Sequence, residues 1–540
     1  LFNFSYVILN AHNINKTMKH ALDLKIVQIP RVAPVLLVAL CLCRSGMASA
    51  VNTWVAPSTS GNWNTIGNWS AGAVPVGTDS VVLSGSSGTS PWTMSSATIE
   101  TGDIAYNLSY NRRLRNDSVS KDSLLALTGS GVNGALLINL GTNQYFSINA
   151  MGGGATPHLL TVQLKTSGTF SSAGSVRDPV LGGNGLVINA PVTESGGSCS
   201  LALTGAGTVT LSGTNSYTGG TIVNMTGGTV LMSGSGTAGV FNGTLGAVSS
   251  SLAVQGGTLD LGTSGQRVGA VVISGGLIQS GTLAGDSYAA NVTGTATITS
   301  ALAGTGGLTK TGGGKLVLGG SNTYTGATSV SGGTLVVSGN IAGSLCTVSG
   351  GKLLGSGTAG GLVAQASGTI SPGAESGPGM LSAASLDLQA GAHLAVRLGG
   401  TAADTGYDQL SLAGGISLAG DLQGSLINSF VPARATLNAG THLLNLDGDK
   451  FFIVLGTGVT GTFSNAESPD ANLPGYGTIS FGGMKFAISY SGNAATNSFT
   501  GGSDLVLMAI PEPGTGSLAA CGLVWMAGIF RRRCSFNPLV

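Results

Sequence analysis

The chain has 540 residues, 91 of them glycine and only 8% charged, a composition that excludes a globule of ordinary helices. The apolar residues come in short runs, as stacked strands require, and there is no series of the twenty-residue apolar spans that a helical membrane protein would show. The formal net charge of +1 conceals 14 Lys and Arg against 19 Asp and Glu over residues 51–510, so positive charge gathers at the two ends and no nucleic-acid partner is expected.

Residues 1–17 begin with Leu1 and lack a signal-like n-region, so they read as an upstream mis-start before Met18. From there Lys19, Lys25 and Arg31 form a basic n-region, 32–43 an apolar core, and Ala48-Ser49-Ala50 a small-residue cleavage site with Ala48 and Ala50 flanking the serine. Residues 18–50 are therefore predicted to be a secretory signal peptide, a retained anchor being the alternative. Cys41 and Cys43 follow leucine, so lipidation is not expected. Over 51–100 the aromatic residues Trp54, Trp63 and Trp69, with Pro75, suit a cap over the open edge of a first coil; a sugar-stacking face is the alternative. Residues 101–200 read as irregular β coils, with Arg112, Arg113 and Arg115 in a solvated turn.

Residues 201–400 carry the repeats. The clearest copy, 309–339, has two apolar runs, 315–318 and 334–338, bounded by glycines and separated by Asn322-Thr323-Tyr324-Thr325-Gly326. An earlier copy, 203–234, aligns Asn215-Ser216-Tyr217-Thr218-Gly219 with that corner and carries two extra residues, Asn224 and Met225. Short runs rich in Leu, Val and Thr read as strands, and glycine pairs supply positive-φ corners, so the unit is strand, corner, strand, corner. Weaker copies follow the glycine pairs at 256, 275 and 350, spaced near 19 residues, the signature of a solenoid. Ten or so coils at the strand spacing would extend about 50 Å.

At these residues the chain resembles the autotransporter-associated β-strand repeat proteins. The resemblance implies an all-β fold, a right-handed parallel β-helix, exported to the cell surface or beyond. It makes Asn215, Tyr217, Gly219, Asn322, Tyr324 and Gly326 structural corner residues. The tryptophan pattern of 51–100 resembles the opening of such proteins. The order S-P-G (371–373), Y-D-Q-L (407–410), G-G (414–415) and G-T-F (461–463) resembles their last coils, so 401–509 is read as C-terminal β coils.

In 510–534, Pro511-Glu512-Pro513 is followed by seventeen uncharged residues, 514–530, and then by Arg531, Arg532 and Arg533. As a helix the uncharged run would span about 26 Å, marginal for a bilayer core. The arginines would hold its end on the cytoplasmic side. The three parts resemble a PEP-CTERM sorting signal. That resemblance implies an exosortase-type processing enzyme as partner and the membrane as partner before processing; an uncleaved transmembrane anchor is the alternative. The repeats run directly into this tail, so translocation through an attached barrel is not expected.

Signals for catalysis are thin. His158, His393 and His442 are isolated, with His393 expected to point outward from its alternating run. Asp404 with Asp408 and Asp447 with Asp449 are the close acidic pairs, the latter a turn rather than a calcium loop, which needs more oxygen ligands. The glycine-rich 304–314 is not followed by the G-K-[ST] of a phosphate loop. Neither a metal nor another cofactor is expected. Cys199 and Cys346 are expected to be separate buried thiols, a long-range disulfide being the alternative. The sequence thus points to an exported, non-enzymatic β-helical protein of structural or adhesin-like type, with exopolysaccharide or other surface polymers as partners. The alternative is a carbohydrate-active β-helix enzyme, a lyase or hydrolase.

Overall fold

The computed structural model describes residues 185–232, 241–242, 244–263, 265–441, 443–469 and 474–511, with short strands and bridges between 51 and 172. The chain divides into two compact units, Leu1–Ser49 and Ala50–Val540, and every described residue belongs to the second. Secondary structure among these residues is entirely β, and none of them forms a helix long and apolar enough to cross a membrane. The helices expected in the signal peptide and the C-terminal anchor lie outside the described residues.

The strands form a parallel β-helix with three faces. On the first face Leu308–Thr311 pairs with Thr328–Val330, and that with Cys346–Val348, all parallel. On the second, Lys315–Leu318, Thr334–Val337 and Lys352–Gly355 stack in the same sense. On the third, Asn340–Ile341 pairs with Thr358–Ala359. Parallel neighbours need a long crossover between them, and here the crossover of each strand is the other two strands of its coil.

Alternation fixes which side chains go in. A strand points successive side chains to opposite faces, and the strands of 308–398 mostly alternate half-buried and buried residues. Leu316, Leu335, Leu353, Ile370 and Leu394 therefore stand in one inward row on the second face. Leu308, Thr328, Cys346, Leu362, Leu386 and Ile416 form the matching row on the first. Inward side chains on each face, mostly branched aliphatic and repeated at strand spacing, make a core that grows along the axis.

The structure departs from the sequence reading in several places. The third face carries strands of two residues in the coils at 340 and 358, too short to show a period, so the expected unit of two strands and two corners becomes one of three strands. Asn224 and Met225 do not widen a corner. They extend the strand Thr221–Met232, with Met225 buried, and the next coil absorbs them through a register shift. Arg112, Arg113 and Arg115 lie in the strand Arg112–Asn116 on the second face, not in a turn. The described strands within 101–200 follow the same three-face pairing, with Leu160–Leu164 on the third face. Near the N-terminal end Trp69 is buried in the core, so its ring is not a sugar platform.

Parallel coils continue to Val459–Gly461. The third face then turns antiparallel: Lys450–Leu455 pairs with Asp504–Ile510, which pairs with Met484–Gly492, which pairs with Gly477–Phe481. Asp504–Ile510 is buried at six consecutive positions, Leu505 to Ile510, because both faces of this sheet are covered. Inward, Leu505, Leu507 and Ala509 join the core with Phe451 and Phe486. Outward, Val506, Met508 and Ile510 form a second cluster with Ala435, Phe452 and Phe499.

Candidate functional site

The repeat corners are the places where sequence identity matters most. In the coil at 322 the third face has no strand, and one side chain stands in for it. Asn322 Oδ1 accepts the Leu302 N–H of the coil before (2.9 Å), and Nδ2 donates to the Asn340 carbonyl of the coil after (3.0 Å) and to Gly320 O (2.9 Å). Asn215 does the same, accepting from Val192 N (2.8 Å) and donating to Thr244 O (2.6 Å). Both amides are buried, so the donor and acceptor a strand would have offered are replaced where water cannot replace them.

The tyrosines of these corners point inward. Tyr217 and Tyr324 are fully buried, and their hydroxyls meet Thr221 Oγ1 (2.7 Å) and Thr328 Oγ1 (2.8 Å). Thr328 and Ser344 share a hydrogen bond (2.8 Å), and Ser344 Oγ donates to Gly326 O (2.7 Å). Burial pushes the Tyr217 phenol up and the Tyr324 phenol to about 12. Gly219 and Gly326 close each corner against the preceding coil. A Cβ at Gly219 would strike the backbone of Cys199 and Ser200, and one at Gly326 the backbone of Gly306 and Gly307. In the first copy Glu194 also grips the corner, accepting from Thr218 N (3.0 Å), Thr218 Oγ1 (2.7 Å) and Cys199 N (2.7 Å). Partial burial raises its carboxyl, but these hydrogen bonds outweigh that and leave it below its ordinary value.

Lys310 was not anticipated as a core residue. It stands in the inward row with Val330 and Val348 and is fully buried. Its ammonium donates to the carbonyls of Thr311 (2.7 Å), Gly312 (2.9 Å) and Gly332 (3.1 Å). The stem fills core and the charge reaches the glycine corner, with burial lowering its pKa.

Asp404 and Asp408 lie in different environments, and Asp447 and Asp449 hold different partners. Asp408 is fully buried and clasped by Arg397: Nε to Oδ2 at 2.8 Å, Nη2 to Oδ1 at 3.0 Å, and the Arg397 backbone N–H to Oδ2 at 2.9 Å. Its Oδ1 also accepts from Gly379 N (3.0 Å), and Arg397 Nη2 donates to Gly377 O (2.6 Å). Burial pushes the carboxyl above its ordinary value, and the guanidinium and backbone donors offset only part of that rise. Asp404 is exposed on a turn with φ 71°. Asp447 holds Thr436 through its backbone N–H and its hydroxyl, and Asp449 holds Ala433 N. These two carboxylates therefore pin one loop back on itself. His393 is half-buried on the outward side of its strand, its Nδ1 3.6 Å from Asp421 Oδ2. Among the described residues no group of three or more His, Cys, Asp and Glu is placed to hold a metal ion.

The Y-D-Q-L run gains a role that spacing alone did not show. Tyr407 packs edge-on against Phe451 (5.5 Å between centroids) and its hydroxyl accepts from Phe452 N (3.3 Å). Gln409 Nε2 donates to Phe452 O (2.7 Å). Tyr407 and Gln409 thus grip the next coil while Asp408 grips the S-P-G loop of the previous one. The signal was the order of the two motifs, 371–373 and then 407–410.

At the antiparallel end a cleft of about 430 Å³ is lined by Tyr476, Tyr490, Thr462, Ser489, Ser491 and Glu467, among others. It holds one carboxylate. Cys199 and Cys346 are both free and buried, and burial pushes the Cys346 thiol up to about 12. Ala48, Ala50, Glu512, Pro513 and Arg531 to Arg533 lie outside the described residues; Pro511 is the last one described.

Two segments, 201–232 and 308–337, match the family model of the passenger-associated-transport-repeat. These are the two coils that carry the Asn-Tyr-Gly corners, and the match supports the resemblance drawn from the sequence. The repeat points to a passenger-like protein, secreted or at the cell surface. No curated protein matches the chain.

Proposed function

We propose that this chain is an exported bacterial surface or extracellular-matrix protein, structural or adhesin-like, sorted through residues 511–533 by an exosortase-type enzyme. The observation that carries the reading is the outward row of the first face. Thr309, Ser329 and Thr347 stand in register on successive coils, followed by Val363, Asp387 and Ser417. Small polar groups repeated at strand spacing, about 4.8 Å, suit a long polymer with its own repeat, such as an exopolysaccharide. Many weak contacts then add through multivalency. A catalytic reading would need carboxylates converging on a groove; Asp408, Asp447 and Asp449 are engaged in holding backbone, and the cleft at the antiparallel end is lined by one acid, Glu467.

The test is intact mass and terminal peptide mapping of the protein recovered from its host's surface fraction. A chain running from Val51 to about residue 510 is the expected product. Retention of 514–533 would reduce the tail to a plain anchor and remove the exosortase step. Retention of 1–50 as well would overturn export.

A further inference from the structure

The parallel coils give way at their C-terminal end to an excursion, 427–449, between the strands Asp421–Leu426 and Lys450–Leu455. It is a folded hairpin. Leu437 bridges Leu444, Asn438 N donates to Leu443 O (2.8 Å), and Asp447 and Asp449 tie its base. Yet it exposes Val431 (75%), Leu437 (44%), Leu443 (43%) and Leu446 (41%), four of the seven large apolar side chains exposed among the described residues. The other three, Val248, Val272 and Leu345, are scattered along the coils.

The hairpin is joined to the point where the chain leaves the body. Ala435 N donates to Ala509 O (2.8 Å), and Ala435 packs in one cluster with Met508 and Ile510, with Leu444 against it. Only three residues, 511–513, separate Ile510 from the uncharged run 514–530. Four residue steps reach about 14 Å at full extension, and the headgroup region adds several ångströms on each side of the hydrocarbon. We infer that the hairpin 436–446 and Val431 are a membrane-contacting surface: in the unprocessed chain they rest in the interfacial layer of the bilayer that 514–530 enters. The inference rests on reading that run as a membrane segment. Exposed leucines on a loop with a charged neighbour, Arg434, are the chemistry that the acyl–headgroup boundary accepts. The short tether keeps this end of the body within reach of that layer.

The full-length chain tests it, with Cys41, Cys43, Cys521 and Cys534 changed to serine and the buried Cys199 and Cys346 retained. Leu443→Cys carries an environment-sensitive fluorophore, and Val272→Cys, of matched exposure (45%), is the control. The chain is reconstituted in vesicles of phosphatidylcholine and phosphatidylglycerol, and flotation reports the tail. The expected result is flotation, a blue shift at Leu443 with most of its emission lost to quenchers near the headgroups, and neither change at Val272. Flotation with both probes in water overturns the inference and leaves the tail reading standing. A Leu443 probe already blue-shifted without vesicles, and unquenched by lipid, also overturns it, since the tail or a second copy would then cover the hairpin. Failure to float overturns the tail reading and the inference together.

Discussion

Asn322 and Gly326 carry opposite burdens within one corner, and they can be separated by substitution. Asn322→Ala leaves the Leu302 N–H without its acceptor, while the Asn340 carbonyl keeps the backbone N–H of residue 322 (3.0 Å). A buried polar group left unsatisfied costs about 1–3 kcal/mol, and denaturant unfolding is expected to show a loss in that range. Asn322→Asp keeps the acceptor but turns a buried carboxylate oxygen toward the Gly320 and Asn340 carbonyls, so it is expected to be no better than alanine. Gly326→Ala drives a methyl into the Gly306–Gly307 backbone and should destabilise strongly. Gly313→Ala, where a Cβ meets nothing within 4 Å, should leave the melting temperature nearly unchanged. If both glycine variants melt alike, close approach between coils is not the reason for the glycine at 326.

At the scale of elements, the coils near 372–408 are joined by one buried ion pair. The loop between Thr369–Pro372 and Met380–Ala383 is bridged by Gly373 to Gly355 and by Ala374 to Gly377, with Lys315 paired to Glu375; Arg397 and Asp408 add a buried hold through Gly377 O and Gly379 N. Arg397→Met strands a buried carboxylate, and removal of one partner of such a pair costs about 3–5 kcal/mol. Arg397→Met with Asp408→Leu is expected to recover part of that loss, because the uncompensated charge is gone. Unfolding curves measure the stability, and limited proteolysis within 373–379 reports whether the loop is released. A double variant as unstable as the single one would mean that the loop contacts, not the charge, dominate.

At the scale of the whole β-helix, stability is predicted to have an alkaline edge. The Tyr288 and Tyr324 phenols and the Cys346 thiol are pushed up to about 12 by burial, and Tyr217 is also raised. Their unfolded values are about 10 for phenols and 8.5 for a thiol. A folded pKa above the unfolded one means that the folded chain holds protons that the unfolded chain releases. The contribution is therefore complete below those unfolded values and declines as pH rises through them toward about 12. Thermal melts across that window should show the decline, with phenolate absorbance from the buried tyrosines appearing together with unfolding. Phenolate from all ten tyrosines near pH 10 in a folded chain would contradict this.

The sequence by itself determined the stacked parallel β architecture. Lys315–Leu318 and the strand beginning at Thr334 are bounded by glycines at a steady spacing, and alternation within each strand already says which residues are buried. It also marked Asn322, Tyr324 and Gly326 as a unit, because their chemistry recurs intact at 215–219. Only the tertiary structure decided what that unit does. The partners of Asn322 lie 18 and 20 residues away, and coil length, not local sequence, brings them within reach. The third face, the inward lysine at 310 and the antiparallel end have the same cause. A two-residue strand has no period, a lone charge in an apolar row gives no local sign of its carbonyl partners, and the pairing of Lys450–Leu455 with Asp504–Ile510 joins segments about fifty residues apart. Hydrophobic alternation is a local property and is written in the chain; hydrogen-bond partnership between coils is set by where the preceding coil ends.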